Sequence, residues 1–154
     1  MSEPTQLHET PIARFRPVEI LLVEDNLDDV AIAERAFSRG RVVSRLTIAR
    51  DGQEALDRLL DRSGGAVRPD LVLLDVNLPK RNGLDVLSAV RQTEELATLP
   101  IVMLTASARQ EDVTASYRLG ANTYIQKPVV FEQLTRTLEV LSQYWFEVAT
   151  LPPA

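Results

Sequence analysis

Three short blocks of uninterrupted apolar residues punctuate the chain: Ile20-Leu21-Leu22-Val23, Leu71-Val72-Leu73-Leu74 and Ile101-Val102-Met103-Leu104. Unbroken runs of this length suit strands buried on both faces, as in a parallel sheet, and not the in–out alternation of a half-solvated strand. Between them the apolar positions switch to helical spacing. Val30, Ala33, Ala36 and Phe37 share one face, as do Leu56, Leu59 and Leu60, and then Leu84, Leu87 and Val90. Leu46-Thr47-Ile48 and Thr123-Tyr124-Ile125-Gln126 are more polar and read as edge strands. A final helix is predicted over about 130–148, where Phe131, Leu134, Leu138, Leu141, Trp145 and Val148 form a single stripe. Strand and helix signals alternate throughout, which predicts an α/β domain: a five-stranded parallel sheet with helices on both faces.

Polar punctuation sets the expected helix ends. Asp51 with Glu54 has the form of a capping box, and Gly64-Gly65 is expected to close that helix. Ser107 with Gln110 predicts a second such start, closed by Gly120. Composition adds exclusions. A chain of 154 residues with 45% hydrophobic and 25% charged residues is one ordinary globular domain. We divide it into a polar arm (1–17), the domain (18–148) and a short tail (149–154). The 17 basic and 22 acidic residues give a net charge of −5, a poor footprint for nucleic acid. The absence of cysteine excludes disulfides and thiolate chemistry, and is comfortable in a reducing cytoplasm, the expected location. The single histidine, His8, lies in the arm and has no expected role. No apolar run approaches the roughly 20 residues of a membrane span, and the arm does not have the form of a signal peptide.

Candidate chemistry lies where the strands end. In open α/β sheets the working site sits outside the carboxyl ends of the strands. The first apolar block is followed by Glu24-Asp25, the second by Asp75, the third by Thr105, and the fifth strand by Lys127-Pro128. One rim thus collects three carboxylates, a hydroxyl and an ammonium. Clustered carboxylates repel one another unless a cation joins them, and oxygen ligands without Cys or a His pair suit Mg²⁺. A strand-end carboxylate can also be a nucleophile toward phosphorus, with the cations neutralising charge as the phosphoryl group moves. Each element alone has a plainer account: solvated loop acids, a loop cap, a strand-end hydroxyl, a surface lysine. Their convergence on one rim in this order favours acyl-phosphate chemistry.

These residues, with Ala106 and Pro128 beside them, resemble the receiver domain of two-component response regulators over about 18–148. The stretches Val23-Glu24-Asp25-Asn26 through Asp28-Asp29, Ala49-Arg50-Asp51-Gly52, Asn77-Leu78-Pro79-Lys80 and Tyr144-Trp145-Phe146 are similar to single-domain regulators that partner phytochrome-type histidine kinases. The resemblance implies a flavodoxin-like strand order 2-1-3-4-5, with Asp75 as phospho-acceptor and Thr105 and Lys127 contacting the phosphoryl group. It implies Mg²⁺ held by Asp25, Asp75, the Asn77 carbonyl and, through water, Glu24. It places Tyr124 at the switch aromatic position beside Thr105, although an ordinary edge-strand tyrosine fits the residue equally well. It puts the side chains of Asn77 and Ser107 where phosphoryl lifetime is tuned. It also implies a cis bond between Lys127 and Pro128.

The six residues after Val148 are expected to leave no room for an output domain, so the expected output is protein contact, a change of oligomeric state, or withdrawal of phosphate from a kinase. The protein is expected not to be an enzyme beyond its own phosphorylation and dephosphorylation. Rival readings are a degenerate receiver acting as a binding module, which keeps fewer of the acids or lacks the lysine, and a haloacid-dehalogenase-type phosphatase. The latter needs an acid two residues after its nucleophile, where this chain has Asn77. The last helix is expected to outrun the sheet, leaving Tyr144, Trp145, Phe146 and Val148 without a core beneath them. That predicts a symmetric homodimer on the last two helices and the fifth strand. The alternative is an arm folded back through Leu7, Ile12 and Phe15.

Overall fold

The computed structural model describes residues 16–153. The strands are β1 (Val18–Val23), β2 (Ser44–Ala49), β3 (Leu71–Leu74), β4 (Ile101–Thr105) and β5 (Thr123–Gln126). The helices are α1 (Leu27–Ser38), α2 (Gly52–Leu59), α3 (Gly83–Gln92), α4 (Gln110–Arg118) and α5 (Phe131–Gln143). A 3₁₀ turn, Glu94–Leu96, follows α3, and a π-helical turn, Tyr144–Val148, extends α5. The sheet order is β2-β1-β3-β4-β5, and every neighbouring pair is parallel. Among the described residues no helix is long and apolar enough to cross a membrane.

The three apolar blocks are the three central strands, and their period of two divides them between two cores. Leu21, Val23, Val72, Leu74, Ile101 and Met103 pack with Leu56 and Leu59 of α2 and Val86, Leu87 and Val90 of α3. Ile20, Leu22, Leu71, Leu73, Val102 and Leu104 pack on the other face with Val30, Ala33, Ala36 and Phe37 of α1 and Leu134, Leu138 and Leu141 of α5. Leu60 differs from the expectation: α2 ends at Leu59 and Leu60 is 39% exposed.

Three helices start on a side-chain cap that aims the preceding strand end. Asn26, Asp51 and Asn82 accept from the backbone N–H of Asp29, Glu54 and Asp85 at 3.0, 2.7 and 2.9 Å. The return bond of a capping box is displaced by one residue: Glu54 Oε1 accepts from the N–H of Arg50, which precedes the cap, at 3.0 Å. Ser107 does not cap α4. Arg109 holds that position without a side-chain bond, and Ser107 Oγ instead donates to Asp112 Oδ2 at 2.6 Å. The Ser107 oxygen also accepts from the Arg109 N–H at 3.3 Å, a turn made ahead of the helix start, so it does not reach the first N–H groups of α4. Gly120 does follow α4 as expected, at φ +104°. Gly64, at φ +85°, lies in the α2–β3 loop and not at the end of α2.

The peptide bond between Lys127 and Pro128 is trans, contrary to the expectation. Trans is the ground state of an X-Pro bond by about 0.5–1 kcal/mol, and the lysine reaches its partners from it.

The end of α5 also departs from the expected straight helix. After Gln143 the ladder widens, and the Ala149 N–H bonds to the Tyr144 carbonyl at 2.7 Å, an i to i+5 closure. Trp145 and Phe146 are half-buried against the α1/α5 core, and Phe146 lies 6.5 Å from the Phe37 ring. Those two residues have a core beneath them after all. Tyr144 and Val148 remain 51% and 67% exposed. Leu7, His8, Ile12 and Phe15 lie outside the described residues.

Candidate functional site

Parallel strands all end at the same rim, so the residue after each strand is delivered to one place. Asp75 follows β3, the middle strand, and its N–H continues the ladder to the Val23 carbonyl at 3.2 Å. Its Oδ1 accepts from the Asn77 N–H at 3.1 Å, which turns Oδ2 toward Lys127. Gly83 makes the turn possible: a Cβ there would stand 1.9 Å from the Asp75 carbonyl oxygen, so only glycine lets α3 start this close behind the acid. Gly52 holds the equivalent place behind the loop, where a Cβ would stand 1.9 Å from the Arg81 carbonyl oxygen.

Lys127 is buried and its Nζ lies 2.6 Å from Glu24 Oε1, 2.8 Å from Asp29 Oδ2 and 3.5 Å from Asp75 Oδ2. Burial alone pulls the ammonium down, but its hydrogen bonds to Asp29 and Glu24 outweigh that and hold it above the ordinary lysine range. Glu24 is 2% exposed. Its burial pushes the carboxyl up against the opposing pull of Lys127 and the Asn26 N–H, which donates at 3.0 Å. Thr105 is fully buried, its carbonyl accepting from the Lys127 N–H and its Oγ1 from the Ser107 N–H at 3.3 Å. Tyr124 points inward: its hydroxyl donates to the Ser107 carbonyl at 2.8 Å, and burial raises the phenol.

Glu24, Asp25 and Asp75 each place a carboxylate oxygen within 4.8 Å of the others. A Mg²⁺ ion with ligands at about 2.1 Å spans roughly 4.2 Å between opposite oxygens, so the donor set and its spacing fit such an ion. Asp25 is exposed at the mouth of the cluster and Asn77 is exposed beside Asp75.

The rim therefore brings together Glu24, Asp25, Asp75, Thr105 and Lys127, with Tyr124 behind it, bonded to the Ser107 carbonyl two residues after Thr105. Asp29 is the participant that the sequence reading left inside a motif. Its signal was its place, third after the Asn26 cap, which turns it back over the strand ends. Nearby, Lys80 takes φ +66° in the loop after Asp75, and its ammonium sits 3.6 Å from Asp51.

A family profile for the response regulator receiver domain matches residues 20–139. The chain is 43% identical over 130 residues to the probable methanogenesis regulatory protein FilR2 of Methanothrix harundinacea, covering 84% of each. It is 37% identical over 141 residues to the response regulator Rcp1 of Synechocystis sp., covering 90% of this chain and 95% of that one. Among solved structures, the phosphorylated cyanobacterial phytochrome response regulator RcpA superposes with a TM-score of 0.86 at 36% identity, covering 89% of this chain and 99% of that one. The Mn²⁺-bound form of Rcp1 gives 0.85, also at 36% identity, covering 89% and 100%. A strand order of 2-1-3-4-5, an acid pair, a central aspartate, a threonine and a lysine on one rim, and these likenesses along nearly the full chain lead to one conclusion: the chain belongs to the response regulator receiver domain family.

Proposed function

We propose that the protein is a phosphoryl-accepting regulator in which Asp75 takes the group from the phosphohistidine of a histidine kinase, of phytochrome type. The observation that carries this reading is the Asp75 carboxylate, 7% exposed, with one oxygen fixed by the Asn77 N–H and the other 3.5 Å from Lys127. The free carboxylate oxygen attacks phosphorus. The new O–P bond forms as the P–N bond breaks, and its electron pair returns to the departing imidazole. Lys127 is already charged and close, so it neutralises a phosphoryl oxygen without a proton transfer. The buried Thr105 hydroxyl, whose oxygen accepts from the Ser107 N–H, has its own proton to donate to another phosphoryl oxygen.

Glu24, Asp25, Asp75 and the Asn77 carbonyl are the groups that would hold Mg²⁺, which when bound offsets the negative charge of the phosphoryl group. Tyr124 is tied to the Ser107 carbonyl, so a shift of Thr105 is felt two residues away, at a switch position. The likeness to RcpA and Rcp1 supports a phytochrome-type partner, and a chain without cysteine is in keeping with the cytoplasm. Apart from forming and losing its own acyl phosphate, the protein performs no turnover in this reading. Signalling then passes by protein contact.

Self-association belongs to the same proposal, at the α4–β5–α5 side and the turn after it. Tyr144, Val148 and Val140 are exposed there, while Trp145 and Phe146 contribute only their outer edges.

Incubation with acetyl phosphate and Mg²⁺, followed by mass spectrometric mapping, is expected to place a single phosphoryl group on Asp75. Asp75→Asn is expected to abolish it. Undiminished labelling of that variant would refute the assignment. Phosphotransfer profiling against histidine kinases of the same genome then identifies the donor.

A further inference from the structure

At the opposite rim, where the strands begin, the molecule carries a second cationic feature that the phosphoryl site does not use. The α2–β3 loop arches away from the sheet and leaves two adjoining cavities of about 190 and 240 Å³ that share Arg58, Leu59, Ala66 and Pro69 in their walls. The larger one has an apolar floor of Leu59, Pro69 and Leu96 and three guanidinium groups, Arg58, Arg62 and Arg68. Two carboxylates also line it. Asp61 is already engaged by the Ser63 N–H and hydroxyl at 2.9 and 2.7 Å, which hold it below the ordinary range. Glu95 lies 3.5 Å from Arg62. Three guanidinium groups against two carboxylates leave one positive charge unbalanced.

The unbalanced group is identifiable. Among the described residues, Arg68 Nε is the only buried side-chain nitrogen or oxygen without a hydrogen-bond partner, and Arg68 makes no ion pair. That nitrogen is closed off from solvent, so a ligand in the cavity meets the outer guanidinium nitrogens of Arg68, which no carboxylate of the described residues holds. Arg58 is only loosely held, its Nε 3.7 Å from Glu54, so its outer nitrogens are free to turn inward. A guanidinium fork is matched by the paired oxygens of a phosphate or carboxylate. The apolar floor matches a small hydrophobic body attached to that anion.

We propose that this cavity is a binding site for a small organic oxyanion, a phosphate monoester or carboxylate with a compact apolar body, anchored on Arg68 with Arg58 and Arg62 closing over it. The proposal is independent of phosphorylation at Asp75.

The test uses the full chain, ¹⁵N-labelled, at constant ionic strength with chloride as the balancing anion. Phenyl phosphate, benzoate and inorganic phosphate are titrated with and without Mg²⁺. Saturable amide shifts are expected at Ala66, Arg68 and Leu96. Phenyl phosphate is expected to bind about tenfold tighter than inorganic phosphate because of the apolar floor, and Arg68→Gln is expected to lose at least that factor. Arg45→Gln, on the wall of the smaller cavity only, is expected to bind as wild type, which controls for general loss of positive charge. Shifts confined to Asp75, Thr105 and Lys127 would mean the anion sits at the phosphoryl site and would overturn the proposal. So would equal affinity of wild type and a folded Arg68→Gln.

Discussion

A single ammonium at Lys127 faces the three carboxylates of Glu24, Asp29 and Asp75, so the proposed phosphoryl site is also a structural ion network. Removing one member of a buried pair leaves the other charged and desolvated. Lys127→Met is therefore expected to cost the unphosphorylated protein about 3 kcal/mol in urea denaturation. The double variant Lys127→Met/Glu24→Gln is expected to recover part of that loss, because Glu24 then has no charge to strand. Asp25 behaves in the opposite way. It is exposed and donates nothing to the network, so Asp25→Ala relieves repulsion. The variant is expected to be no less stable than wild type by the same assay, while losing Mg²⁺ binding in titration calorimetry. Unchanged Mg²⁺ affinity would move the ion elsewhere. Asp29 was hard to find in the sequence for a related reason. A third acid at the start of a helix is ordinary dipole complementarity, and only the position of the lysine tip distinguishes it.

At the scale of elements, the parts most legible in the sequence were those with burial on both faces. β3 is apolar throughout, and β1 and β4 are apolar from Ile20 to Val23 and from Ile101 to Leu104, so their carboxyl ends, and with them Asp75 and Thr105, could be read directly. The caps at Asp51 and Gly120 were legible because each has one local chemistry. The S-x-x-Q spacing at Ser107 misleads because the hydroxyl has two other local partners, donating to the Asp112 carboxylate and accepting from the Arg109 N–H, ahead of the helix start. The widening of α5 into a π turn carries no sequence signal, because the stripe through Leu141, Trp145 and Val148 fits either winding. The close approaches behind the site yield a sharp test. Gly83→Ala brings a methyl group against the Asp75 carbonyl, so the α3 start must shift and carry the acid with it. The expected outcome is a slower acetyl phosphate reaction together with lowered thermal stability. Asp51→Ala removes a cap and the exposed contact to Lys80, and should cost about 1 kcal/mol while leaving the phosphorylation rate nearly unchanged.

For the whole molecule, two equilibria report on the proposed function. A ligand that binds only the folded chain adds RT ln(1 + [L]/Kd), or about 2.7 kcal/mol at a hundredfold excess over Kd. Mg²⁺ is expected to stabilise wild type in this way and to leave Asp25→Ala unmoved. The second equilibrium is self-association. Tyr144→Glu is the cleaner probe, because Tyr144 is 51% exposed while Trp145 packs on the α1/α5 core and its replacement would unsettle the fold. Light scattering is expected to show a dimer for wild type at tens of micromolar and a monomer for Tyr144→Glu. A wild-type monomer with and without a phosphoryl analogue would end that part of the proposal.

The division of each central strand between two apolar cores has a further consequence. In a half-solvated strand, sliding by one residue turns the whole greasy side to water, and hydrophobicity polices the alignment. In the apolar runs Ile20–Val23, Leu71–Leu74 and Ile101–Leu104 it cannot, because either alignment turns apolar side chains to both cores. The alignment must be kept by residues that tolerate only one setting, and those stand at the strand ends: Glu24 bonded through its N–H to Ala49, Asp75 to Val23, Lys127 to Thr105. Slide β3 by one position and a carboxylate enters hydrocarbon. The charged rim thus works as the ruler against which the sheet is assembled, so a substitution meant to silence the chemistry at Asp75 also loosens the gauge that puts it there.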